Sequence, residues 1–469
     1  MNFQKPLFTA VTTLCLASGS VRAAPQRPNI LFLAVDDLND WIGCYTNGYP
    51  GTVHTPNMDR LASEGLLFQK AYCSVALCNP SRTAILTGRY AFMSGVYGNN
   101  TCFRDYDGLK DLVTLPQLFK NNGYTTVNAG KIFHHNSGKM ADPVSWDVVT
   151  DLPSGTPNPE NENPLDIHFP AKYHEKAFRY GALSQPKEAC GDYRQARFCA
   201  DFLKEKHDKP FFLAYGSIRP HMPLFAPKEY FDLYPLDQIV LPDVPADDYD
   251  DIPEKAKYYK TFDVHEIITK ADAWKYYVQA YLACVSLADD CLGQVLNALE
   301  ASPYRDNTIV VFWGDNGFHL GEKQHWGKFT LWEPADRVPL IMKVPGITTP
   351  GTETDSVVSL MDLYPTLVSL AGLSLPAGVE GRNLTPVLRH PETEWSDPVI
   401  TTWFPGNHTL RTPRYRYIRY EDGSEELYDM EKDPNEFTNL AGNPERAALI
   451  REMRTHLPET NHPDVEKSK

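Results

Sequence analysis

Four apolar segments of the sequence are each followed by polar side chains of kinds that bind metal ions or anions in proteins. In chain order, the residues after these segments are Asp36-Asp37, Gly130-Lys131 with His134, Arg219-Pro220-His221, and Asp315-Asn316-Gly317. The carboxyl ends of parallel strands meet at one edge of a sheet, and ligands bind there. An Asp after a single strand is more often a helix cap or a turn residue, so it is the agreement of four segments that predicts a functional site.

The types of these side chains indicate a site for a hard metal ion beside a site for an anion. Asp36, Asp37, Asp315 and Asn316 offer only oxygen ligands, which suit Ca²⁺ or Mg²⁺ and do not suit zinc. Carboxylates this close repel one another unless a cation or a proton lies between them. The basic residues that could hold a tetrahedral oxyanion and stabilise charge as a bond breaks are Lys131, His134, His221 and Lys328.

The best candidate for a nucleophile is Cys78, which lies in Leu77-Cys78-Asn79-Pro80-Ser81-Arg82. The Pro-Ser pair predicts the start of a helix directly after the cysteine. A thiol at that position is expected to have a lowered pKa and raised nucleophilicity. The alternative role, which is the default for a single cysteine, is that of a small buried hydrophobic residue in front of a capped helix.

The elements that must position these residues are apolar strands separated by helices. The segment Asn29–Val35 is apolar throughout, as in a strand that is buried on both faces of a parallel sheet. A helix is predicted from Pro56 to Gly65, with Thr55 as its cap. The other predicted strands and the longest predicted helix are Tyr124–Ala129, Phe211–Tyr215, Thr308–Trp313 and Tyr276–Leu299. This alternation predicts an α/β domain with a mostly parallel sheet flanked by helices.

Two long loops and a change in the sequence pattern near the C-terminus complete the predicted organisation. Residues 142–170 and 243–265 have no clear period and are expected to shape access to the site. From about residue 396, short aromatic-rich strands and a final helix predict a small subdomain with an antiparallel sheet. These elements are Val399–Phe404, Tyr415–Tyr420, Glu426–Tyr428 and Glu445–Leu457. The predicted domains are a signal peptide at 1–23, a catalytic domain at 24–395 and a C-terminal subdomain at 396–469.

Composition and the N-terminus restrict the partners and the location of the protein. The formal net charge of −15 argues against a nucleic-acid or anionic-membrane binder, although an acidic protein can still hold an anionic substrate. Lys5, an apolar run from Leu7 to Ala17 and Val21-Arg22-Ala23 are typical of a cleaved secretory signal. We therefore expect a secreted or periplasmic protein without a stable membrane span. Of its nine cysteines, only Cys190 and Cys199 suggest a disulfide clip, and that pairing is left open.

Beyond these patterns, the sequence resembles a known family. Cys78-x-Pro80-Ser81-Arg82, followed by Leu86-Thr87-Gly88-Arg89, is similar to the signature of type I sulfatases of the alkaline phosphatase superfamily. Within that family, iduronate-2-sulfatases and their bacterial relatives are the most similar, through Val35-Asp36-Asp37-Leu38, Gly130-Lys131-Ile132-Phe133-His134 and Pro220-His221-x-Pro223. The sequence departs from them at Asn316, where a His is usual, and at Phe318, where a substrate-facing Trp is common.

The resemblance implies a cofactor made from the chain itself. A separate maturation enzyme would oxidise Cys78 to Cα-formylglycine (3-oxoalanine), whose hydrate attacks the sulfur of a sulfate ester. Ca²⁺ would be held by the modified Cys78 together with Asp36, Asp37, Asp315 and Asn316, and Asp315 is a candidate proton acceptor. The resemblance implies that Arg82 and Lys131 stabilise the formylglycine hydroxyls, and that Lys131, His221 and Lys328 bind the sulfate. It further implies that His221 or Lys328 protonates the leaving alcohol, and that His134 deprotonates the second hydroxyl.

Several functional alternatives stay open on sequence alone. The first expectation is hydrolysis of glycosaminoglycan uronate 2-O-sulfate in an oligosaccharide or polysaccharide, and ulvan or fucoidan sulfate is the next. A phosphonate monoester or phosphodiester hydrolase of the same superfamily is a second enzyme class. A catalytically dead glycan-binding protein is the third reading, although no metal or nucleophile residue of the signature is missing.

Overall fold

The computed structural model describes Met1 and residues 27–135, 137–162, 164–170, 178–258 and 262–466. Apart from Met1, the predicted signal peptide lies outside these residues. The strands are β1 (Asn29–Val35), β2 (Leu66–Tyr72), β3 (Thr125–Gly130), β4 (Val148–Val149), β5 (Tyr180–Leu183), β6 (Phe211–Ser217), β7 (Leu224–Pro227), β8 (Thr308–Gly314), β9 (His319–Leu320), β10 (Trp326–Gly327), β11 (Arg337–Val338), β12 (Leu340–Lys343), β13 (Thr352–Ser359), β14 (Val399–Thr402), β15 (His408–Arg411), β16 (Tyr415–Arg419) and β17 (Glu425–Asp429).

Helices connect these strands and cover both faces of the main sheet. They are α1 (Pro56–Glu64), α2 (Cys78–Thr87), α3 (Ala91–Ser94), α4 (Leu115–Asn121), α5 (Gly191–Phe202), α6 (Lys228–Phe231), α7 (Glu254–Tyr258), α8 (Phe262–Lys270), α9 (Trp274–Glu300), α10 (Glu333–Asp336), α11 (Leu363–Leu370), α12 (Thr385–Arg389) and α13 (Ala447–Arg454).

The main sheet is mostly parallel, which confirms the predicted fold class. Its order is β13-β2-β12-β8-β1-β6-β3-β4, and β11 lies on the same edge of β2 as β12. From β8 to β4 all neighbouring pairs are parallel, whereas β12 runs antiparallel to both β8 and β2. The predicted parallel strands therefore form one half of the sheet, and the other half was not predicted.

Two hydrophobic cores sandwich this sheet, so its central strands are apolar on both faces. Along β1, Leu31 and Leu33 pack into the core that contains α9, while Ile30 and Phe32 pack into the core of α2, α4 and α11. Among the described helices, α9 is the one that is long and apolar enough to cross a membrane. Most of its apolar part is buried inside the domain, as in a core helix.

The structure corrects three local predictions. Thr55 does not cap α1 with its side chain; the buried Asp289 carboxylate on α9 instead accepts hydrogen bonds from the backbone of Asn57 and Met58. The predicted loop at 142–170 contains β4, which extends the sheet edge, and the one at 243–265 contains α7 and the start of α8. Cys190 and Cys199 are buried free thiols, so the structure has no clip between them.

The C-terminal subdomain is an antiparallel sheet covered by a terminal helix, as expected. Its strand order is β14-β15-β16-β17, and Ile450 and Met453 of α13 pack against this sheet. The sequence patterns missed β15 because the polar residues at both ends of His408–Arg411 hide the alternation of its apolar positions. The predicted boundary at residue 396 precedes β14 and stays a prediction.

His408 links this subdomain to the C-terminal segment through a neutral imidazole. Its Nε2 donates to Asn461 Oδ1 at 2.9 Å, so Nδ1 accepts from the Thr402 hydroxyl at 3.0 Å. Burial lowers the pKa of His408 to about 4. Between pH 6.5 and pH 4 the unfolded chain therefore binds a proton at this residue that the folded chain does not bind.

We expect His408 to make the protein less stable as the pH falls. The free energy of unfolding should lose about 3 kcal/mol at this residue between pH 7 and pH 4. Urea unfolding at several pH values checks this, with His408→Gln predicted to flatten the pH dependence. Exposed His390, changed to Gln, is the matched control and should leave the slope as it is. Identical slopes for wild type and His408→Gln would contradict the assignment.

Candidate active site

The ends of β1, β3, β6 and β8 converge, as the sequence predicted. In the sheet register Val35 lies beside both Ser217 and Gly314, and Gly130 lies beside Gly216. The backbone N–H groups that follow these strands continue the pairing: Asp36 N donates to the Ser217 carbonyl at 3.2 Å, and Asp315 N donates to the Val35 carbonyl at 3.2 Å. The polar residues therefore leave the sheet side by side.

Two glycines allow the ends of β3 and β6 to approach closely. A Cβ on Gly216 would lie 1.9 Å from the Lys131 carbonyl oxygen, and a Cβ on Gly130 would lie 2.1 Å from the Gly216 carbonyl oxygen. Gly130 also has a φ of 77°, which side chains disfavour. Lys131 N donates to the Gly216 carbonyl at 2.9 Å, so this glycine pair fixes the start of the segment that carries Lys131.

Oxygen atoms of four residues form a candidate metal centre. Asp36, Asp37 and Asp315 each offer a carboxylate oxygen, and these oxygens lie within 4.8 Å of one another. Asp36 Oδ1 and Asn316 Oδ1 are buried and accept no hydrogen bond from any described residue. Buried oxygens of this kind require a partner, and the all-oxygen set fits Ca²⁺ or Mg²⁺. The predicted ligands therefore come together and fit a divalent cation.

Three buried cations balance these three carboxylates. Lys131 Nζ donates to Asp36 Oδ2 at 2.5 Å, and Arg82 Nε donates to Asp315 Oδ2 at 2.6 Å. Lys328 Nζ pairs with Asp37 Oδ1 and lies 2.7 Å from Cys78 Sγ. Because the charges of the protein groups cancel, a bound divalent cation would give the site a net positive charge that suits an anionic substrate.

The surroundings shift the pKa values of the carboxyls in opposite directions. Burial disfavours the Asp36 carboxylate, but Lys131, His221 and Arg82 together hold its pKa well below the ordinary value. Burial, with the nearby Asp36 carboxylate, raises the pKa of Asp315 to about 7 although Arg82 opposes the rise. Two neighbouring carboxyls with separated pKa values are typical of catalytic sites.

Cys78 is the first residue of α2, and its side chain is fully buried. The expected lowering of its pKa is wrong: burial raises the pKa to about 12, and the Asp36 carboxylate adds to the rise against Lys131 and Lys328. A helix N-terminus would stabilise the thiolate and lower the pKa. Here burial and the nearby carboxylate both destabilise the thiolate, and their combined effect on the pKa is larger. An unmodified thiol here stays protonated at neutral pH and is a poor nucleophile.

Helix α2 is tied to the ends of the strands by its first turns. Ser81 Oγ donates to the Asp315 carbonyl at 2.7 Å, and Arg82 Nη1 donates to the Ile132 carbonyl at 3.0 Å and also to the Lys131 carbonyl. Arg82 therefore acts in this structure through Asp315 and the backbone after β3. These contacts hold Cys78 at the edge of the metal centre.

The two predicted histidines both border the site. His221 Nδ1 lies 2.6 Å from the Met222 carbonyl, which can only accept, so Nδ1 carries the proton; Nε2 lies 3.7 Å from Asp37 Oδ2. Burial lowers the pKa of His221, and burial together with Lys131 lowers that of His134 to about 3. The Nδ1 atom of His134 is buried and has no hydrogen-bond partner in the described part of the chain. A neutral imidazole at that position can accept a proton.

Two residues that the sequence associated with the site, Arg219 after β6 and Phe318 at a commonly substrate-facing position, have structural roles instead. The Arg219 guanidinium turns back and donates to the carbonyls of His221 and Pro223, so it braces the loop that carries His221. Phe318 is only 1% exposed and stacks on Tyr281 with ring centroids 5.7 Å apart. It therefore does not face a substrate as a Trp at this position commonly does in the similar family.

Sequence reasoning also missed two residues that position the site. The buried Asp192 carboxylate accepts from Ile218 N at 2.9 Å and from Arg219 N at 3.0 Å, which fixes the loop after β6. The Tyr281 hydroxyl on α9 donates to the Asp37 carbonyl at 2.8 Å. Each looks like an ordinary helix residue in the sequence, and only the packing of α5 and α9 against the sheet gives it this role.

Family models that together match most of the chain show the class of protein to which this fold and site belong. The sulfatase family model matches residues 28–373, and the model of the N-sulphoglucosamine sulphohydrolase C-terminal region matches residues 321–462. The chain therefore belongs to the sulfatase family, and it is a sulfuric ester hydrolase. This confirms the family that the Cys78 signature resembles.

Known relatives cover most of the chain. A sulfatase from Formosa agariphila is 38% identical over 94% of this chain and 88% of its own, and human iduronate 2-sulfatase is 32% identical over 88% of this chain and 83% of its own. A structure solved with its substrate D-glucosamine-2-N,6-O-disulfate has a TM-score of 0.71 at 24% identity, covering 92% of this chain and 96% of that one. The phosphonate monoester hydrolase from Silicibacter pomeroyi has a TM-score of 0.75 at 22% identity, over 92% and 95%. Both of these structures share the fold of this chain.

Proposed function

We propose that the protein hydrolyses sulfate esters of a glycosaminoglycan-type carbohydrate, with uronate 2-O-sulfate as its substrate group. We also propose that Cys78 is matured to Cα-formylglycine and that Asp36, Asp37, Asp315 and Asn316 hold Ca²⁺. The observation that carries the proposal is the convergence of three carboxylates and three cations around the Cys78 side chain. We further propose that the chain is exported, on the basis of its signal-like N-terminus.

The relatives support the substrate class. Human iduronate 2-sulfatase is 32% identical and covers most of the chain, and its name specifies sulfate on a uronic acid. A further relative at 28% identity, from Bacteroides thetaiotaomicron, is a delta 4,5-hexuronate-2-O-sulfatase. Both names describe a 2-O-sulfate on a uronate, so this group is the first substrate to test.

Cys78 is suited to become a modified nucleophile. The thiol itself has a raised pKa and lies between Asp37 and Lys328, where it would be protonated and unreactive. When present, the hydrated aldehyde and Ca²⁺ supply an activated hydroxyl and charge stabilisation at this place. The position is also the end of α2 that Arg82 and Ser81 fix to Asp315.

The basic residues provide binding and proton transfer. Lys328 Nζ and Lys131 Nζ, both buried beside carboxylates, hold positive charge where a sulfate group would enter. His221 Nε2 faces Asp37, and after it has taken up a proton it is placed to donate to an oxygen of the ester or to protonate the leaving alcohol. His134, neutral at pH 7, is placed to accept a proton at Nδ1.

A desulfation screen on defined oligosaccharides tests the proposal. Matched heparin-type substrates that carry sulfate only at the uronate 2-O, the glucosamine 6-O or the glucosamine N position are incubated with the matured enzyme and analysed by mass spectrometry. We expect loss of 80 Da only from the 2-O-sulfated substrate. Desulfation of ulvan or fucoidan fragments and of none of these substrates would overturn the uronate assignment while leaving the sulfatase activity intact.

A second measurement separates the remaining classes of activity. Rates on an aryl sulfate and on an aryl phosphonate monoester, measured with one preparation, should favour the sulfate by at least about tenfold. The reverse preference would indicate the phosphonate monoester hydrolase alternative. Absence of both activities and of any desulfation in the oligosaccharide screen, in a preparation whose intact mass shows formylglycine, would indicate a glycan-binding protein.

A further inference from the structure

An aromatic cluster lies next to the candidate active site and has no role in the chemistry described so far. Phe329 follows Lys328, whose Nζ lies 2.7 Å from Cys78 Sγ. The rings of Phe329 and Trp403 have centroids 5.3 Å apart, and those of Trp403 and Phe404 have centroids 4.3 Å apart. We name Phe329, Trp403 and Phe404 the aromatic platform.

The platform is built from both parts of the chain and is anchored to the segment that leads into Cys78. Phe329 N donates to the Ala76 carbonyl at 3.3 Å. From the C-terminal subdomain, Thr402 N donates to the Ser74 carbonyl at 2.9 Å. The two hydrogen bonds hold both segments to the same short stretch, residues 74–76. As a result, Trp403 of the C-terminal subdomain packs against Phe329.

Exposure and backbone conformation set Phe329 apart from a core residue. Its side chain is 36% exposed, whereas Trp403 is 5% exposed. Phe329 and Phe404 have φ angles of 77° and 58°, in the left-handed region that non-glycine residues seldom adopt. Strained backbone clusters at ligand sites, where the surrounding structure holds it in place. The structure therefore holds a partly exposed aromatic ring at a conformational cost, packed on the buried Trp403 and next in sequence to Lys328.

We infer that the aromatic platform binds the apolar face of a sugar ring, and that this ring is the one adjoining the sulfated sugar. This inference rests on the proposed carbohydrate substrate. Lys328 reaches the sulfate position with the end of its side chain, and the platform begins at the backbone on the other end. The backbone of Phe329 is bonded to Ala76, two residues before Cys78, so the platform borders the segment that carries the reaction centre, on the side from which we infer that an adjoining sugar extends. The rings are tilted by 48° and 54° to one another, so it is the exposed face of Phe329, supported by Trp403, that suits the C–H face of a pyranose.

Kinetics on two sugars of different length test this inference. The probes are a heparin disaccharide with 2-O-sulfate on its non-reducing uronate and the same 2-O-sulfated uronate as a monosaccharide. Phe329→Leu should lower kcat/KM on the disaccharide about three- to tenfold more than on the monosaccharide, since it removes the ring and keeps an apolar side chain. Phe329→Tyr should restore the disaccharide rate. Exposed Leu375, changed to Ala, is the control and should affect both substrates alike.

Binding distinguishes failure of the platform from failure of the proposed function. Calorimetry of the Cys78→Ala variant with the disaccharide requires no turnover, and adding Phe329→Leu should weaken Kd about three- to tenfold. If the wild type desulfates neither probe but the Kd shift is seen, the proposed activity fails and the platform stands. Equal losses on both sugars, an unchanged Kd, or no binding by Cys78→Ala would each overturn the platform.

Discussion

Replacing Cys78 by Ala or by Ser should abolish sulfate release, with a loss of at least about four orders of magnitude in kcat. Ala removes the group that is matured, and Ser carries one hydroxyl where the hydrated aldehyde would carry two. A maturation enzyme that accepts only Cys would leave both variants unmodified. The measurement is sulfate release from an aryl sulfate under saturating substrate, with the intact mass of each protein determined beside it.

The loss must be separated from misfolding, because Cys78 is fully buried. The Cys78 variants change a small side chain, so far-UV circular dichroism and the melting temperature should stay close to those of the wild type. Cys199, a second fully buried thiol on α5 and outside the site, is the matched control. Cys199→Ala should keep its turnover. Near-normal activity in Cys78→Ala would overturn the proposed nucleophile.

Chelation of divalent cations by EGTA should also remove activity, and added Ca²⁺ should restore it. Without a cation, Asp36, Asp37 and Asp315 keep carboxylate oxygens within 4.8 Å of one another, and the buried Asn316 Oδ1 lacks a partner in the described structure. An ion that binds only the folded state stabilises it by about 2.7 kcal/mol at a hundred times its Kd. The melting temperature should therefore fall by about 3 °C in EGTA.

Asn316→Ala tests one proposed metal ligand without changing the carboxylates that form ion pairs. Its Oδ1 accepts nothing from the described protein, so removal of the amide leaves the pairs of Lys131 with Asp36 and of Arg82 with Asp315 in place. It also removes the hydrogen bond from Asn316 Nδ2 to Asp37 Oδ1 at 2.9 Å. We expect the Ca²⁺ concentration for half-maximal activity to rise at least about tenfold. Asp355→Asn, at an exposed carboxylate on β13, is the control and should leave this concentration unchanged. Full activity in protein shown by elemental analysis to be metal-free would contradict the metal centre.

The parts of the fold that the sequence predicted are those with a strong local signal. Strands buried on both faces are apolar at every position, and β1 begins and ends as predicted at Asn29 and Val35. β2 was missed because Gln69 and Lys70 interrupt its apolar run, and its place beside β12 and β13 depends on pairing with residues far along the chain. Local patterns carry no information about such partners.

The candidate site divides in the same way. Residue type and strand position identified the carboxylates, because oxygen ligands at converging strand ends bind hard cations. Cys78 was identified by the signature that it shares with type I sulfatases. The raised pKa of Cys78, the inward turn of Arg219 and the burial of Phe318 depend on side chains that pack from other elements. The position of Trp403 could likewise not be predicted from the sequence, since it contacts Phe329 only because the end of β14 lies beside residues 74–75.

The strand order of the main sheet determines how late in synthesis the sheet can form. Ile30 of β1 pairs with Phe212 of β6 and with Ile309 of β8, so the central strand waits for partners made 182 and 279 residues later. At translation rates of roughly 5–20 residues per second, the ribosome needs about 15–60 s to make the second partner. Cys78 is made early in that interval, and the sheet that buries it cannot close until β8 has been made. The strand order would therefore leave the thiol accessible to the proposed maturation enzyme while the chain is being made, and folding would then end that access.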